Sequence, residues 1–194
     1  MPAPYGNREK RQHILETAYG LFKRDGFHAT GIDRIIAEAD VAKMTMYRHF
    51  PSKDGLIVEV IDWRMERFEH QLDQLAEAGG TPEAKIEKIF DWYGSWFQSP
   101  DFHGCLFAHA LAEYGDPTHA VFKAATDQKN SLRRRIREIV DDALPQERAE
   151  GVATVLLMLI EGATLLAQMG QGETAIRDAR KAALGLFAQS TSPS

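Results

Sequence analysis

The chain has 194 residues, a length that suits one large domain or a small domain joined to a larger one. Its net charge is −5 and 44% of its residues are hydrophobic, so a buried core is expected and nonspecific binding to polyanions is disfavoured. No apolar run approaches the roughly 18 residues of a membrane span, and the N-terminus lacks the apolar core of a signal peptide. A single cysteine cannot form an internal disulfide. Together these observations predict a cytoplasmic protein without a membrane partner.

The charge is unevenly distributed along the chain. Residues 1–55 carry 9 Lys and Arg against 7 Asp and Glu, whereas the rest carries 14 against 21. The short N-terminal part is therefore basic and the remainder is acidic. If the chain contacts nucleic acid, this asymmetry favours a contact in the first segment.

Helical patterns account for the first part of the sequence. Apolar residues between Arg8 and Phe27 recur at the spacing of an amphipathic helix, and Gly26 is a suitable stop. Thr30 can cap a second, short helix that ends near Asp40. The other predicted elements of this part are a third short helix from about Ala42 to His49 and a long helix from Lys53 to about Ala78, capped by Pro51-Ser52.

The remaining sequence predicts further helices and no strand. They are expected at Glu83 to Gln98, Gly104 to Tyr114, Pro117 to Leu144, Gln146 to Met169 and Glu173 to Gln189, with short connections. The predicted fold class is all-α. Residues 1–52 are expected to form a three-helix head, residues 53–190 a larger helical domain and residues 191–194 a tail.

The second and third predicted helices form a helix-turn-helix, whose second helix enters the DNA major groove. The outward side of that helix and its flanks carry Lys43, Met44, Thr45, Tyr47 and His49. Hydroxyl, phenol, imidazole and ammonium groups suit phosphate oxygens, and Lys53 lies in the first turn of the next helix. We interpret this cluster as a phosphate clamp, although an aromatic-rich helix end also fits core packing.

The run from Arg8 to Ile57 resembles the N-terminal DNA-binding domain of TetR-family transcriptional regulators. The matching positions are Ile14-Leu15, Ala18, Leu21-Phe22, Gly26, Thr30, Ile32, Ile35-Ile36, Tyr47, His49-Phe50, Ser52-Lys53 and Leu56. The resemblance implies that phosphates are held by Thr30, Tyr47, His49 and Lys53. It also implies that base edges are probed by Lys43, Met44 and Thr45, with Arg48 in either role.

Three positions depart from the family pattern. Asp40 stands where glycine is usual at the turn, and Ala42 replaces a small hydroxyl residue that would cap the recognition helix. Because Asp tolerates left-handed backbone geometry, the turn can survive. Met44 replaces a commonly small residue, which allows an apolar contact with a thymine methyl group.

The last two predicted helices favour a dimer interface. Each carries an apolar stripe, and together they look like half of a four-helix bundle made by two subunits, as the family resemblance implies. The predicted interface comprises Val152, Val155, Leu156, Leu159, Ala163, Leu166, Ile176, Ala183, Leu186 and Phe187. The alternative is a purely intramolecular core.

An aromatic-rich segment between Phe90 and Tyr114 predicts a small-molecule pocket, with plain core as the alternative. Within it, Cys105, His109 and Glu113 recur at i, i+4 and i+8, a polar seam in apolar surroundings. The predicted lining is Trp63, Trp92, Trp96, Phe97, Phe107, His109 and Tyr114. The stretch GCLFAHALAEYGDP also resembles the start of the C-terminal domain in one TetR subgroup.

The second interpretation is an all-helical enzyme or a metal-binding module centred on Cys105 and His109. Structural zinc usually needs four ligands, and no oxyanion motif accompanies the cysteine, so we expect neither metal-ligating nor catalytic residues. The run GQGETA matches a dinucleotide fingerprint but follows a helix rather than a strand, so no cofactor is expected. The favoured interpretation is a homodimeric regulator, most simply a repressor, that binds a near-palindromic duplex operator and is released by a small-molecule effector.

Overall fold

A computed structural model describes residues 6–77 and 79–192, with side chains described for all of these except residues 75–77. Regular structure in this part of the chain is helical, which confirms the predicted all-α class. The helices are α1 (Asn7–Asp25), α2 (Ile32–Glu38), α3 (Lys43–His49), α4 (Lys53–Glu77), α5 (Pro82–Phe97), α6 (Leu106–Glu113), α7 (Ala120–Asp141), α8 (Gln146–Leu166) and α9 (Gly172–Thr191). The predicted end of the long helix at Ala78 and the last two residues of the predicted tail lie outside the described residues.

The chain divides into two compact units. Unit 1 comprises residues 6–67 together with Cys105–Asp127, and unit 2 comprises Phe68–Gly104 together with residues 128–192. The division therefore falls within α4 and α7, whereas the sequence placed a boundary between residues 52 and 53. Unit 1 contains α6 as well as the helix-turn-helix, so α6 and the head belong to the same compact unit.

The core of unit 1 forms where the periodicity of α1 predicts it. Ile14, Ala18 and Phe22 are fully buried, and apolar residues from the first turns of α4 join them. Gly26 ends α1 with a φ of 86°, a left-handed conformation that favours glycine, and its N–H donates to the carbonyl of Phe22. The predicted stop at Gly26 is confirmed.

The core of unit 2 is built around α8. Leu156 and Ile160 of this helix are buried, α9 packs along it, and α5 packs against α9. Gly94 of α5 lies at this contact, and a Cβ atom there would be 3.5 Å from the Ile176 side chain, an ordinary van der Waals distance. A π-helical turn at Ala167–Gln171 separates α8 from α9, with Gly170 at a φ of 82°. The sequence predicted a break here.

The stretch Gln146–Thr191 is long and apolar enough to cross a membrane by length and composition. It consists of α8 and α9, which are joined by the turn at Gly170 and pack on each other. Because Leu156 and Ile160 are covered by neighbouring helices, packing in a protein core accounts for part of this apolar character. Other apolar residues of this stretch, among them Met158 and Leu165, are exposed.

Candidate DNA-binding surface

The turn between α2 and α3 depends on Asp40. Its φ is 49°, so a non-glycine residue adopts the left-handed conformation that the family pattern assigns to glycine. The N–H of Val41 donates to the carbonyl of Ile36, which closes the turn. Ala42 is the N-cap of α3 and makes no side-chain capping bond. The sequence-based expectation that Asp40 would preserve the turn is therefore confirmed.

One side of α3 anchors the helix in the head. Met46 and Phe50 are fully buried, and the guanidinium carbon of Arg11 lies 5.0 Å above the centre of the Phe50 ring. Because residues three and four positions apart share a helix face, this anchoring directs the opposite face away from the core. Met46 and Phe50 therefore belong to the core of the head.

The opposite side of α3 is exposed. Met44 exposes 88% of its surface and Tyr47 exposes 40%, and Arg48 is exposed beside them. Lys43 is exposed as well, but its ammonium lies 3.1 Å from a carboxylate oxygen of Asp33 on α2. The hydrogen bond and charge of Asp33 raise the pKa of Lys43. A base or phosphate that binds Lys43 must therefore compete with Asp33.

Two residues that were predicted to contact phosphates, Thr30 and His49, are buried wholly or in part. Thr30 is fully buried, and its hydroxyl donates to the carbonyl of Gly26 at 2.7 Å, so the prediction that it holds a phosphate is corrected. Thr30 also does not cap α2, because Gly31 is the N-cap residue. The Nε2 atom of His49 is buried, so this nitrogen is not presented to a ligand. Burial, followed by the charges of Arg48, Arg11 and Lys10, lowers the pKa of His49.

The start of α4 follows the sequence prediction. The Ser52 hydroxyl accepts a hydrogen bond from the Gly55 N–H at 3.0 Å, which caps the helix. Lys53 is the first residue of α4 and is partly buried, and Thr45 on α3 is also partly buried. Their predicted DNA contacts stay predictions.

A carboxylate from α6 holds the turn between α1 and α2. The Oε1 atom of Glu113 accepts a hydrogen bond from the Phe27 N–H at 2.8 Å, and Oε2 accepts one from the His28 N–H at 2.6 Å. Gly26 makes room for this contact, because a Cβ atom there would lie 2.9 Å from Oε1. Tyr114 stacks on the His28 ring with centroids 4.7 Å apart. Within unit 1, the end of α6 is thus fixed to the turn that precedes the helix-turn-helix.

The predicted pocket residues fall in both units. Trp63, Phe107, His109 and Tyr114 belong to unit 1, whereas Trp92, Trp96 and Phe97 belong to unit 2. Within unit 2, Trp92 stacks on Trp96 with centroids 5.9 Å apart, and Phe97 lies 5.8 Å from Trp96. Unit 2 also contains a partly open cavity of about 140 Å³, and none of the predicted lining residues borders it. Its lining combines the apolar residues Leu72, Ile89, Leu132, Ile136 and Ile139 with the charged residues Lys85, Arg135 and Glu138. The pocket stays a prediction.

The three residues of the predicted polar seam, Cys105, His109 and Glu113, have different surroundings. Cys105 is the buried N-cap residue of the helix, His109 is partly buried, and Glu113 binds the backbone of the head. Across residues 6–77 and 79–192, no group of three or more His, Cys, Asp or Glu side chains is arranged to hold a metal ion.

The predicted dimer interface separates into buried and accessible residues. Unit 2 buries Val152, Leu156, Ala163, Ala183 and Phe187 within a single chain, so the prediction is corrected for these five: they form the core of unit 2. Leu159, Ile176 and Leu186 are partly buried. Val155 and Leu166 are exposed. They belong to an α8 stripe that comprises Val155, Met158, Leu165, Leu166 and Met169, the last lying in the following turn.

These features define a class of protein: a helix-turn-helix transcriptional regulator with a helical second unit. Residues 14–60 match the model of bacterial regulatory proteins, tetR family, and residues 82–183 match the tetracyclin repressor-like C-terminal domain. The chain belongs to the TetR family of transcriptional regulators.

Individual relatives agree with this assignment. YxaF of Bacillus subtilis, an HTH-type transcriptional regulator, is 25% identical over 171 residues, which are 86% of this chain and 88% of YxaF. The repressor KstR of Mycolicibacterium smegmatis is 37% identical over 79 residues, or 41% of this chain and 39% of KstR. The crystal structure of SCO4454, a TetR-family regulator from Streptomyces coelicolor, has a TM-score of 0.90 and 27% identity, covering 95% of this chain and 97% of SCO4454.

Proposed function

We propose that this regulator is a repressor that binds a near-palindromic operator as a homodimer and is released by a small-molecule effector. The observation that carries the proposal is the two-sided character of α3. Met46 anchors one side, whereas Met44, Tyr47 and Arg48 lie on the exposed side. A recognition helix needs this arrangement, because only side chains that leave the core can reach base edges and phosphates.

The proposed dimer is supported by the exposed α8 stripe. Met158 and Leu165 expose 64% and 60% of their surfaces, and the stripe recurs at helical spacing over about four turns. Contiguous apolar surface of this kind marks an interaction site more often than an ordinary surface. A second copy of the same helix offers a matching apolar face, and an isologous contact closes after two subunits.

The proposed release by an effector is supported by the contact between α6 and the head. Since Glu113 accepts hydrogen bonds from Phe27 and His28, a displacement of α6 either moves the head or breaks these bonds. A ligand that binds the displaced arrangement more tightly would then oppose DNA binding. The coupling is limited to the difference between its two affinities, typically about 1–3 kcal/mol.

The proposal is tested by selecting genomic DNA fragments with the purified full-length protein and footprinting the fragments that it retains. We expect two equal half-sites whose centres lie roughly 34–36 Å apart along the duplex, because a dimer presents two recognition helices to successive major grooves. A promoter carrying the selected site should then be less active when the protein is present. Selection of no sequence, or protection of one unpaired half-site, would contradict the proposal.

A further inference from the structure

The side chain of Met44 has no structural explanation within the head. It is more exposed than any other large apolar side chain that the structure describes, whereas Met46, two residues further along α3, is fully buried. Met46 therefore accounts for the anchoring of this helix, and Met44 contributes nothing to it. Single exposed apolar residues are common on protein surfaces, so exposure alone does not indicate a function for Met44. A function is indicated by its position in the fold.

That position is the first turn of a recognition helix. The N-terminal residues of such a helix contact base edges, and Met44 is the second residue of α3. Its two neighbours are less available: Lys43 is held towards α2 by Asp33, and Thr45 is partly buried. Met44 is thus the first-turn side chain best placed to meet a base, and it brings a thioether instead of a hydrogen-bond donor.

We propose that Met44 reads the C5-methyl group of a thymine in each operator half-site. Most groups that bases present in the major groove are donors or acceptors, and the thymine methyl is the apolar one. Packing a thioether against that methyl buries apolar surface on both partners. Packing it against the amino group of cytosine or adenine instead removes water without replacing a hydrogen bond. This inference rests on the proposed function, since it requires α3 to enter the major groove.

The test replaces thymine by deoxyuracil, which removes only the methyl group. Each thymine of the selected operator is exchanged in turn, and the affinity of the full-length protein is measured at fixed salt. At one symmetry-related position, exchange in one half-site should lower the affinity of the wild type about fourfold, which is the contribution of one buried methyl group. Exchange in both half-sites should lower the affinity roughly 15-fold. The Met44→Ala and Met44→Gln variants should not distinguish thymine from uracil there. Exchanges outside the half-sites serve as the control.

A second exchange separates the methyl group from the rest of the base. Replacing the critical thymine by cytosine should weaken wild-type binding, and 5-methylcytosine should restore part of the loss for the wild type but not for Met44→Ala. If the wild type binds its operator but no single thymine-to-uracil exchange matters, the inference is wrong and the proposed function stands. If the protein selects no DNA, both are wrong.

Discussion

Glu113 holds His28 at two points. Its Oε2 atom accepts a hydrogen bond from the His28 backbone N–H at 2.6 Å and lies 2.8 Å from the ring Nδ1. The other oxygen accepts from the Phe27 N–H, so one carboxylate satisfies two adjacent backbone donors between α1 and α2. This contact joins α6 to the head, together with the stacking of Tyr114 on the His28 ring.

Removing the Glu113 carboxylate should destabilise the protein. Glu113→Ala is expected to lower the free energy of unfolding by about 2 kcal/mol, because two backbone N–H groups lose a charged acceptor. Glu113→Gln keeps one carbonyl acceptor and should cost about half as much. The measurement is urea unfolding at one fixed protein concentration, since subunit association also stabilises a dimer. Glu38→Gln, at an exposed site that ends α2, is the control and should change stability by less than about 0.5 kcal/mol.

The contribution of Glu113 should depend on pH. Burial raises the pKa of this carboxyl, but hydrogen bonds from the His28 and Phe27 backbones and from the His28 side chain outweigh burial and hold its pKa below the ordinary value of 4.5. A carboxyl whose pKa is lower when folded stabilises the protein above its ordinary pKa, and this stabilisation is lost as the pH falls through the folded-state pKa. The stability difference between wild type and Glu113→Gln should therefore be constant at neutral pH and shrink below about pH 4.5. A difference that persists unchanged under acidic conditions would show that the charge is not responsible.

Local signals explain why much of the fold was predictable from sequence. Gly26 and Asp40 adopt the backbone conformations that their positions predicted, and Met46 and Phe50 lie in the core. Such signals depend on residues close together in the chain. The Glu113 contact joins residues that are 85 and 86 positions apart, and no local pattern indicates which backbone a carboxylate will meet.

The dimer surface shows a second limit of sequence patterns. Because α8 is apolar almost all round, its periodicity does not reveal which side packs within the chain. The predicted interface combines Val152 and Leu156, which are buried, with Val155, which is exposed. Met158 is not among the predicted interface residues, although its exposure is the clearer signal for a partner. Only the packing of unit 2 separates the two sides.

The two sides of α8 should respond differently to the same substitution. Leu165→Glu places a charge on the exposed stripe and should give a folded monomer. In the monomer the carboxylate stays in water, whereas in the proposed dimer it would be buried without a partner. Leu156→Glu buries a carboxylate inside unit 2 and should unfold the chain. Sedimentation and circular dichroism distinguish these outcomes. If Leu165→Glu sediments as the wild type does, the α8 stripe is not the dimer contact.

The proposed function requires that the exposed side of α3 binds DNA, and one titration tests this requirement most directly. Wild type and Tyr47→Ala are titrated against the selected operator at several salt concentrations. We expect Tyr47→Ala to bind all sequences more weakly, since loss of a phosphate contact reduces affinity without changing base preference. Its salt dependence should stay near that of the wild type, because a phenol releases no counterion. Arg48→Ala, at the neighbouring exposed cation, should flatten the salt slope by about one unit if it holds a phosphate. Equal affinity of wild type and both variants for the operator would contradict the account.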